Sequence, residues 1–176
     1  MVKAHENCAF LSHNFRGFWL FFVQLRSFKW ILELEFCVRA LALIIKDEKI
    51  YLAKSPKNEY YLLGGAILVN ELTEDAIIRE MKEELNIDIE VKQLAFVVEK
   101  SVFFGLTKHH QIEFLYLVNP LSDLNKDIYE GGQKRMCEWV SFEELSKINL
   151  NPSFLKIALK NWDGQVKHFV NKKKEK

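Results

Sequence analysis

Glutamate side chains are concentrated in one stretch of this 176-residue chain, residues 64–87, which reads GGAILVNELTEDAIIREMKEELNI. If residues 74–85 form a helix at about 100° per residue, Glu80, Glu83 and Glu84 share one face beside an apolar stripe. Carboxylates three and four residues apart repel one another by about 0.2–0.5 kcal/mol per pair. A hard divalent cation, Mg²⁺ or Mn²⁺, bound through oxygen would relieve this repulsion. A solvated acidic helix face is the alternative interpretation.

Two glycines directly precede this acidic stretch, and glycine allows the backbone to approach an ion or a phosphate closely. The spacing of six residues resembles the signature of the Nudix hydrolase family, which includes MutT-like and ADP-ribose pyrophosphatase-like members. These residues are Gly65, Glu71, Arg79, Glu80, Glu83 and Glu84. Leu63 stands where that family often has proline, and Asn70 and Asn86 stand where glycine is common. Asparagine tolerates a left-handed backbone better than most residues.

The elements that must hold this stretch are predicted from alternating and apolar runs. Six strands are expected, at residues 35–45, 50–54, 60–63, 87–99, 111–118 and 135–140. The first two should form a hairpin, and residues 123–133 should form a polar loop. Strands interleaved with few helices indicate an α+β domain. The family resemblance covers residues 36–162 and implies an α/β/α sandwich around a mixed, mostly antiparallel sheet.

Side chains near the expected helix ends predict how each helix begins or stops. Thr73 is expected to cap the acidic helix, and Asn86 is expected to end it in a left-handed conformation. Ser141 and Glu144 match a capping box that opens a short helix. Asn151 is expected to cap a last helix that reaches residue 160.

We expect three segments along the chain. Residues 1–35 are an aromatic-rich N-terminal extension, residues 36–166 the hydrolase domain, and residues 167–176 a basic, frayed C-terminal tail. Three interpretations of the extension remain open. It could cover the core or a dimer partner, act as a membrane-touching or partner-binding arm, or lie outside the functional domain.

The resemblance implies a role for each matching residue, and Glu113 and Arg39, which lie outside the signature, are added as candidates from their positions in the strands. Metal binding falls to Glu80, Glu83, Glu84 and the carbonyl of Gly64. Catalysis falls to Glu80, Glu83, Arg79 and Glu113, of which Glu80 and Glu113 are both candidates for the general base. Substrate binding falls to Arg39, Gly65 and Glu71. Metal ions would neutralise the oxygens of a diphosphate and lower the pKa of a bound water.

Glu113 and Arg39 are charged residues within predicted apolar strands, and each therefore needs a partner. For Glu113 the alternatives are a metal or catalytic role, a structural ion pair, and an exposed strand end. For Arg39 they are a contact with substrate phosphate and an ion pair at the strand start. Both faces of strand 111–118 are apolar, so this strand is expected to lie centrally in the sheet.

Composition excludes several classes of protein. The formal net charge is +1, from 25 basic and 24 acidic residues, so DNA or RNA is not an expected partner. The three cysteines suggest no disulfide framework. No apolar run is long enough to span a membrane. We therefore expect a cytoplasmic protein with a small nucleotide substrate, and family analogy adds a homodimer.

The leading hypothesis is a metal-dependent hydrolase that cleaves the pyrophosphate bond of a nucleoside diphosphate linked to another group. Both a nucleotide-sugar or ADP-ribose type of substrate and a nucleoside triphosphate are open. The main alternative is a non-catalytic nucleotide sensor on the same fold. An RNA-end hydrolase would need a basic groove, and an isoprenoid diphosphate isomerase would need a suitably placed cysteine.

Overall fold

The computed structural model describes residues 33–104, 107–124, 127–130 and 133–172 of the chain. Strand β1 (Glu33–Lys46) turns back into β2 (Lys49–Lys54) through Asp47 and Glu48, whose φ angles are 50° and 55°. A two-residue turn with positive φ at both positions matches the twist of an antiparallel hairpin. The predicted hairpin is confirmed.

The long strands of the sheet lie side by side in the order β10, β5, β6, β1. Strands β5 (Ile89–Phe104) and β6 (Thr107–Pro120) are antiparallel, β6 is parallel to β1, and β10 (Lys167–Lys172) is parallel to β5. Strand β6 therefore has a neighbour on each side, which confirms the central position predicted for residues 111–118.

Shorter elements complete the fold. The remaining strands are β3 (Glu59–Tyr61), β4 (Gly64–Ala66), β7 (Asp127–Glu130), β8 (Gln133–Ser141) and β9 (Asn149–Asn151). The helices are α1 (Thr73–Leu85), a 3₁₀ helix (Glu144–Lys147) and α2 (Leu155–Ala158). Strand β4 pairs with β1 just before α1, so the Gly-Gly segment is held at the middle of the sheet.

Helices cover both faces of the mostly antiparallel sheet. On one face, the predicted apolar stripe of α1 is buried against Ala40 and Tyr116. That stripe consists of Ile77, Met81 and Leu85. On the other face, Leu145 of the 3₁₀ helix and Leu155 of α2 pack with Phe96. The α/β/α sandwich with a mixed sheet is thus confirmed.

Three local expectations need correction. Residues 123–133 are not all loop, because β7 pairs with β8 and buries Ile128, while Gly131 and Gly132 lie outside the described residues. Asn151 does not cap a helix, because it belongs to β9 and pairs with Tyr61. The helix beyond it is short, since backbone bonds such as Leu155 N–H to Pro152 O have 3₁₀ spacing.

The cap of α1 also differs from the expectation. Leu72 occupies the N-cap position without a side-chain hydrogen bond, and Thr73 is already helical. The Thr73 hydroxyl lies 2.5 Å from the Tyr116 hydroxyl of β6, so it links the helix to the sheet instead of capping it. The capping box is confirmed: Glu144 accepts bonds from the hydroxyl and backbone N–H of Ser141.

The ends of the chain are described in part. The segment expected as the start of a basic tail, Lys167–Lys172, forms β10 against β5. Residues 1–32 and 173–176 lie outside the described residues, and with them most of the predicted N-terminal extension. Within the described part of the chain, no helix has the length and apolar character needed to cross a membrane.

Helix α1 ends at Asn86, whose φ of 55° and ψ of 37° are left-handed, as expected. A residue with a Cβ but no short polar side chain pays about 1–2 kcal/mol in this conformation. We therefore expect Asn86→Ala to lower the free energy of unfolding by about 1 kcal/mol. Asn86→Gly should be neutral or stabilising. Urea unfolding of the two variants measures the difference, and equal stability would contradict the strain.

Candidate functional site

The guanidinium of Arg79 is the hub of the acidic cluster. Its Nε donates to Glu71 Oε1 at 2.7 Å and its Nη2 to Glu71 Oε2 at 2.9 Å, a bidentate pair. Its Nη1 donates to Glu80 Oε1 at 2.6 Å and more loosely to Glu83 Oε2 at 3.4 Å. Nη2 also donates to the carbonyl of Ala66 at 3.1 Å. One planar cation thus joins three carboxylates to the end of β4.

The loop between β4 and α1 is held by Glu71, which also belongs to the Arg79 network. Glu71 Oε2 accepts a hydrogen bond from the backbone N–H of Leu68 at 2.8 Å. Asn70 adopts a φ of 67°, which is the left-handed conformation that glycine would adopt easily. The loop therefore returns Glu71 to Arg79, as the family resemblance implies.

The two glycines of β4 bring backbone against the glutamates of α1. The N–H of Gly64 donates to Glu84 Oε2 at 3.0 Å. A Cβ on Gly65 would lie 2.5 Å from the Glu80 carboxylate carbon, and one on Gly64 would clash with the Ala40 carbonyl oxygen. The Glu80 side chain of α1 can lie against β4 because Gly65 has no side chain, and β4 can lie against β1 because Gly64 has none.

Arg39 reaches the same place from β1. It stands opposite Ala66 of β4, and its Nη2 donates to the Gly64 carbonyl at 3.2 Å. That carbonyl was expected to bind a metal, and the contact brings a second guanidinium to the glycine end of the cluster.

Glu113 lies in β6, next to Arg39 in the strand register, and is 1% exposed. Its Oε1 pairs with Lys100 Nζ of β5 at 2.7 Å. The observed contact corresponds to the ion-pair alternative, and the exposed strand end is excluded. The sequence pattern does not indicate Lys100, because this residue lies beyond the predicted end of its strand and only the pairing register brings it to Glu113.

Burial and charge shift the pKa values in this cluster in opposite directions. Burial raises the pKa of Glu80 above that of an ordinary glutamate, while the hydrogen bond and charge of Arg79 act against this shift. Hydrogen bonds from Arg79 lower the pKa of Glu71. The hydrogen bond to Glu71 in turn raises the pKa of Arg79, so the guanidinium stays charged.

The residues that could hold a divalent cation are Glu80, Glu83, Glu84 and the Gly64 carbonyl. No three acidic, histidine or cysteine side chains among the described residues already converge as a metal site. Arg79 engages Glu80 and Glu83, and the Gly64 N–H engages Glu84. The chemistry fits nevertheless, because Mg²⁺ prefers oxygen ligands and Glu83, with its side chain 60% exposed, is free to turn.

Comparison with known proteins gives one family. The chain matches the family model described as NUDIX domain over residues 36–160. It is 31% identical over 99 residues to the nucleoside triphosphatase NudI of Enterobacter sp. strain 638. That match covers 53% of this chain and 69% of the relative.

Solved structures share the fold. The MutT protein of Bacillus halodurans superimposes with a TM-score of 0.59 at 15% identity, covering 76% of this chain and 90% of that one. An ADP-ribose pyrophosphatase of Streptococcus suis gives a TM-score of 0.53 at 16% identity, covering 76% and 98%. At such identities the likeness concerns the fold alone.

The contact between Gly65 and Glu80 predicts how the cluster responds to one added methyl group. Gly65→Ala should lower the free energy of unfolding by about 1–3 kcal/mol, as overpacking does. Combined with Glu80→Ala, which removes the opposing carboxylate, the loss should be smaller than the sum of the two single losses. Urea unfolding of the four proteins in this cycle measures the coupling, and strict additivity would refute the contact.

The lowered pKa of Glu71 predicts a pH dependence of stability. The ionised carboxylate should stabilise the fold above about pH 4.3, the ordinary glutamate value. This contribution should disappear as the pH falls through the lower pKa of the folded state. The stability gap between the wild type and Glu71→Gln, measured by urea unfolding, should therefore narrow in acid. The exposed Glu74→Gln serves as control, and a gap independent of pH would count against the prediction.

Proposed function

Because the chain belongs to the Nudix family, we propose that it is a pyrophosphohydrolase that cleaves a nucleoside diphosphate linked to another group, with the help of a divalent cation. A nucleoside triphosphate and an ADP-ribose or nucleotide-sugar derivative are both compatible with this chemistry. The 31% identical relative is named as a nucleoside triphosphatase, which favours the triphosphate.

The observation that carries the proposal is the arrangement of four glutamates around β4. Arg79 binds Glu71, Glu80 and Glu83, while Glu84 accepts from the Gly64 N–H. Carboxylate oxygens from the β4–α1 loop and from the second half of α1 are thereby brought beside Gly64 and Gly65 of β4. A solvated acidic face would have no reason to direct its carboxylates toward a glycine backbone.

We assign cation binding to Glu80, Glu83, Glu84 and the Gly64 carbonyl. When bound there, Mg²⁺ or Mn²⁺ would neutralise diphosphate oxygens and lower the pKa of a water. Glu80 and Glu83 would accept the proton of the attacking water or hold that water in place. Arg79 fixes one oxygen of Glu80 at 2.6 Å, while Glu83, contacted at 3.4 Å and 60% exposed, can turn toward the water or the cation.

The remaining residues would position the substrate and the loop. Arg79 and Glu71 would hold the β4–α1 loop in shape, since their bidentate bond and the Leu68 N–H contact fix its ends. Arg39 would bind a phosphate oxygen, because its guanidinium lies at the Gly64 carbonyl. Gly65 would allow the phosphates to approach the backbone closely.

A non-catalytic nucleotide sensor is the second candidate. It would bind nucleotide without turnover, and it does not require a full set of carboxylates. The presence of Glu80, Glu83 and Glu84 together favours the enzyme. The cytoplasmic location, the homodimer and the absence of a nucleic-acid partner stay predictions from the sequence.

Chromatography of the nucleotide products tests the proposal, because hydrolysis of any of these substrates yields a nucleoside mono- or diphosphate. The wild type is assayed with Mg²⁺ and with Mn²⁺ against nucleoside triphosphates, ADP-ribose and nucleotide sugars. We expect turnover of one class, and Glu84→Gln should reduce it at least about a hundredfold, because several kcal/mol of charge stabilisation are lost. Glutamine keeps an oxygen for the Gly64 N–H, so the fold should survive.

Glu74→Gln is the matched control for this assay. Glu74 lies on the same helix, is exposed, and is outside the cluster. Its replacement should leave turnover at the wild-type rate. Nucleotide binding without turnover in any class would instead support the sensor, and full activity of Glu84→Gln would remove Glu84 from the site.

A further inference from the structure

Glu113 has one carboxylate oxygen that its ion pair does not satisfy. The residue is 1% exposed, and Oε1 is bound to Lys100 Nζ at 2.7 Å. Oε2 is buried and has no hydrogen-bond partner among the described residues. A buried charged oxygen without a partner is costly, so the arrangement indicates that a hydrogen-bond donor from outside the fold belongs there.

The strand register shows where this oxygen lies. Glu113 of β6 has Arg39 of β1 on one side and Val98 of β5 on the other. One step toward the core along β6 is the buried Leu115, and one step the other way is the half-buried Gln111. Glu113 therefore stands at the boundary where the apolar core meets a polar strip of the sheet, one strand away from Arg39.

The chemistry of its neighbours limits what Glu113 can bind. A phosphate is excluded because two anions would repel each other. A metal ion is disfavoured because the Lys100 ammonium already lies 2.7 Å from the same carboxylate. Arg39 directs its Nη2 to the Gly64 carbonyl. The group that remains is a neutral donor, an N–H or an O–H.

We propose that Glu113 is a specificity-determining residue whose Oε2 accepts a hydrogen bond from the nucleoside part of the substrate, with Lys100 as the residue that positions it. This inference rests on the proposed function, in which Arg39 binds the phosphates one strand away. A nucleoside offers two sources of such a donor, an N–H of the base and a hydroxyl of the sugar.

Binding of nucleoside monophosphates in the presence of Mg²⁺ tests this role independently of hydrolysis, because these ligands have no pyrophosphate bond to cleave. AMP, GMP, CMP and UMP are titrated against the wild type by calorimetry. The one that binds best is then compared with its 2′,3′-dideoxy form and with its base N-methylated form. One of these two changes should weaken binding about tenfold or more, as loss of a hydrogen bond to a charged group does. The analogue that binds more weakly identifies the group that donates the hydrogen bond.

Glu113→Gln supplies the protein side of the test. Lys100 can only donate, so the glutamine oxygen should face it and the amide NH₂ should take the position of Oε2. The variant should bind the best monophosphate about tenfold more weakly. It should also lose the difference between that ligand and the analogue without the donor. This loss of discrimination is the signature of a direct contact.

Two results would overturn the proposal. The first is wild-type affinity of Glu113→Gln for every analogue, which would leave a structural ion pair only. The second is unchanged binding with a large drop in turnover, which would make Glu113 catalytic. Glu99→Gln, on the neighbouring strand but the opposite face, should change nothing. If Glu113→Gln fails to fold, the analogue series on the wild type still decides, because equal affinities would refute the contact.

Discussion

The site depends on one set of interactions, the hydrogen bonds and ion pairs that the Arg79 guanidinium makes with the glutamates around it. Carboxylates crowded at the edge of a core repel one another and lose solvation, so they need a cation that reaches several of them at once. A planar guanidinium with five donors can do this, whereas a lysine ammonium cannot hold two carboxylates in fixed, flat geometry. The separations of 2.6 to 2.9 Å to Glu71 and Glu80 show that the fork is used in this way.

The backbone conformation around the site is shaped by these contacts of Arg79. Arg79 can meet both Glu71 and the Ala66 carbonyl only if the intervening loop folds back tightly, and Asn70 provides the left-handed turn that this requires. Asn86 provides another at the end of α1. At both positions the family signature commonly has glycine, and in this chain asparagine adopts the left-handed conformation that glycine adopts easily. Both departures from the signature therefore permit the left-handed backbone that these positions adopt.

The sequence predicts the parts of this arrangement that depend on local pattern. Helix periodicity predicted the buried stripe of α1, and apolar residues on both faces predicted the central position of β6. The short strands β4, β7 and β9 escaped notice because their pairing, and not their residue pattern, makes them strands. Lys100 is missed for the same reason. Pairing with β6 extends β5 beyond its predicted end, and only the β5–β6 register brings Lys100 to Glu113.

The formal charges around Arg79 bear on the divalent cation that we propose for this site. Glu71, Glu80, Glu83 and Glu84 carry four formal negative charges, and Arg79 with Arg39 carries two positive ones. The remainder is two negative charges, which one divalent cation would balance. A diphosphate alone would add to this negative charge and be repelled, so cation and substrate have reason to bind together. Arg79 thus holds the carboxylates close without neutralising them, and the negative charge that it leaves would favour the proposed divalent cation.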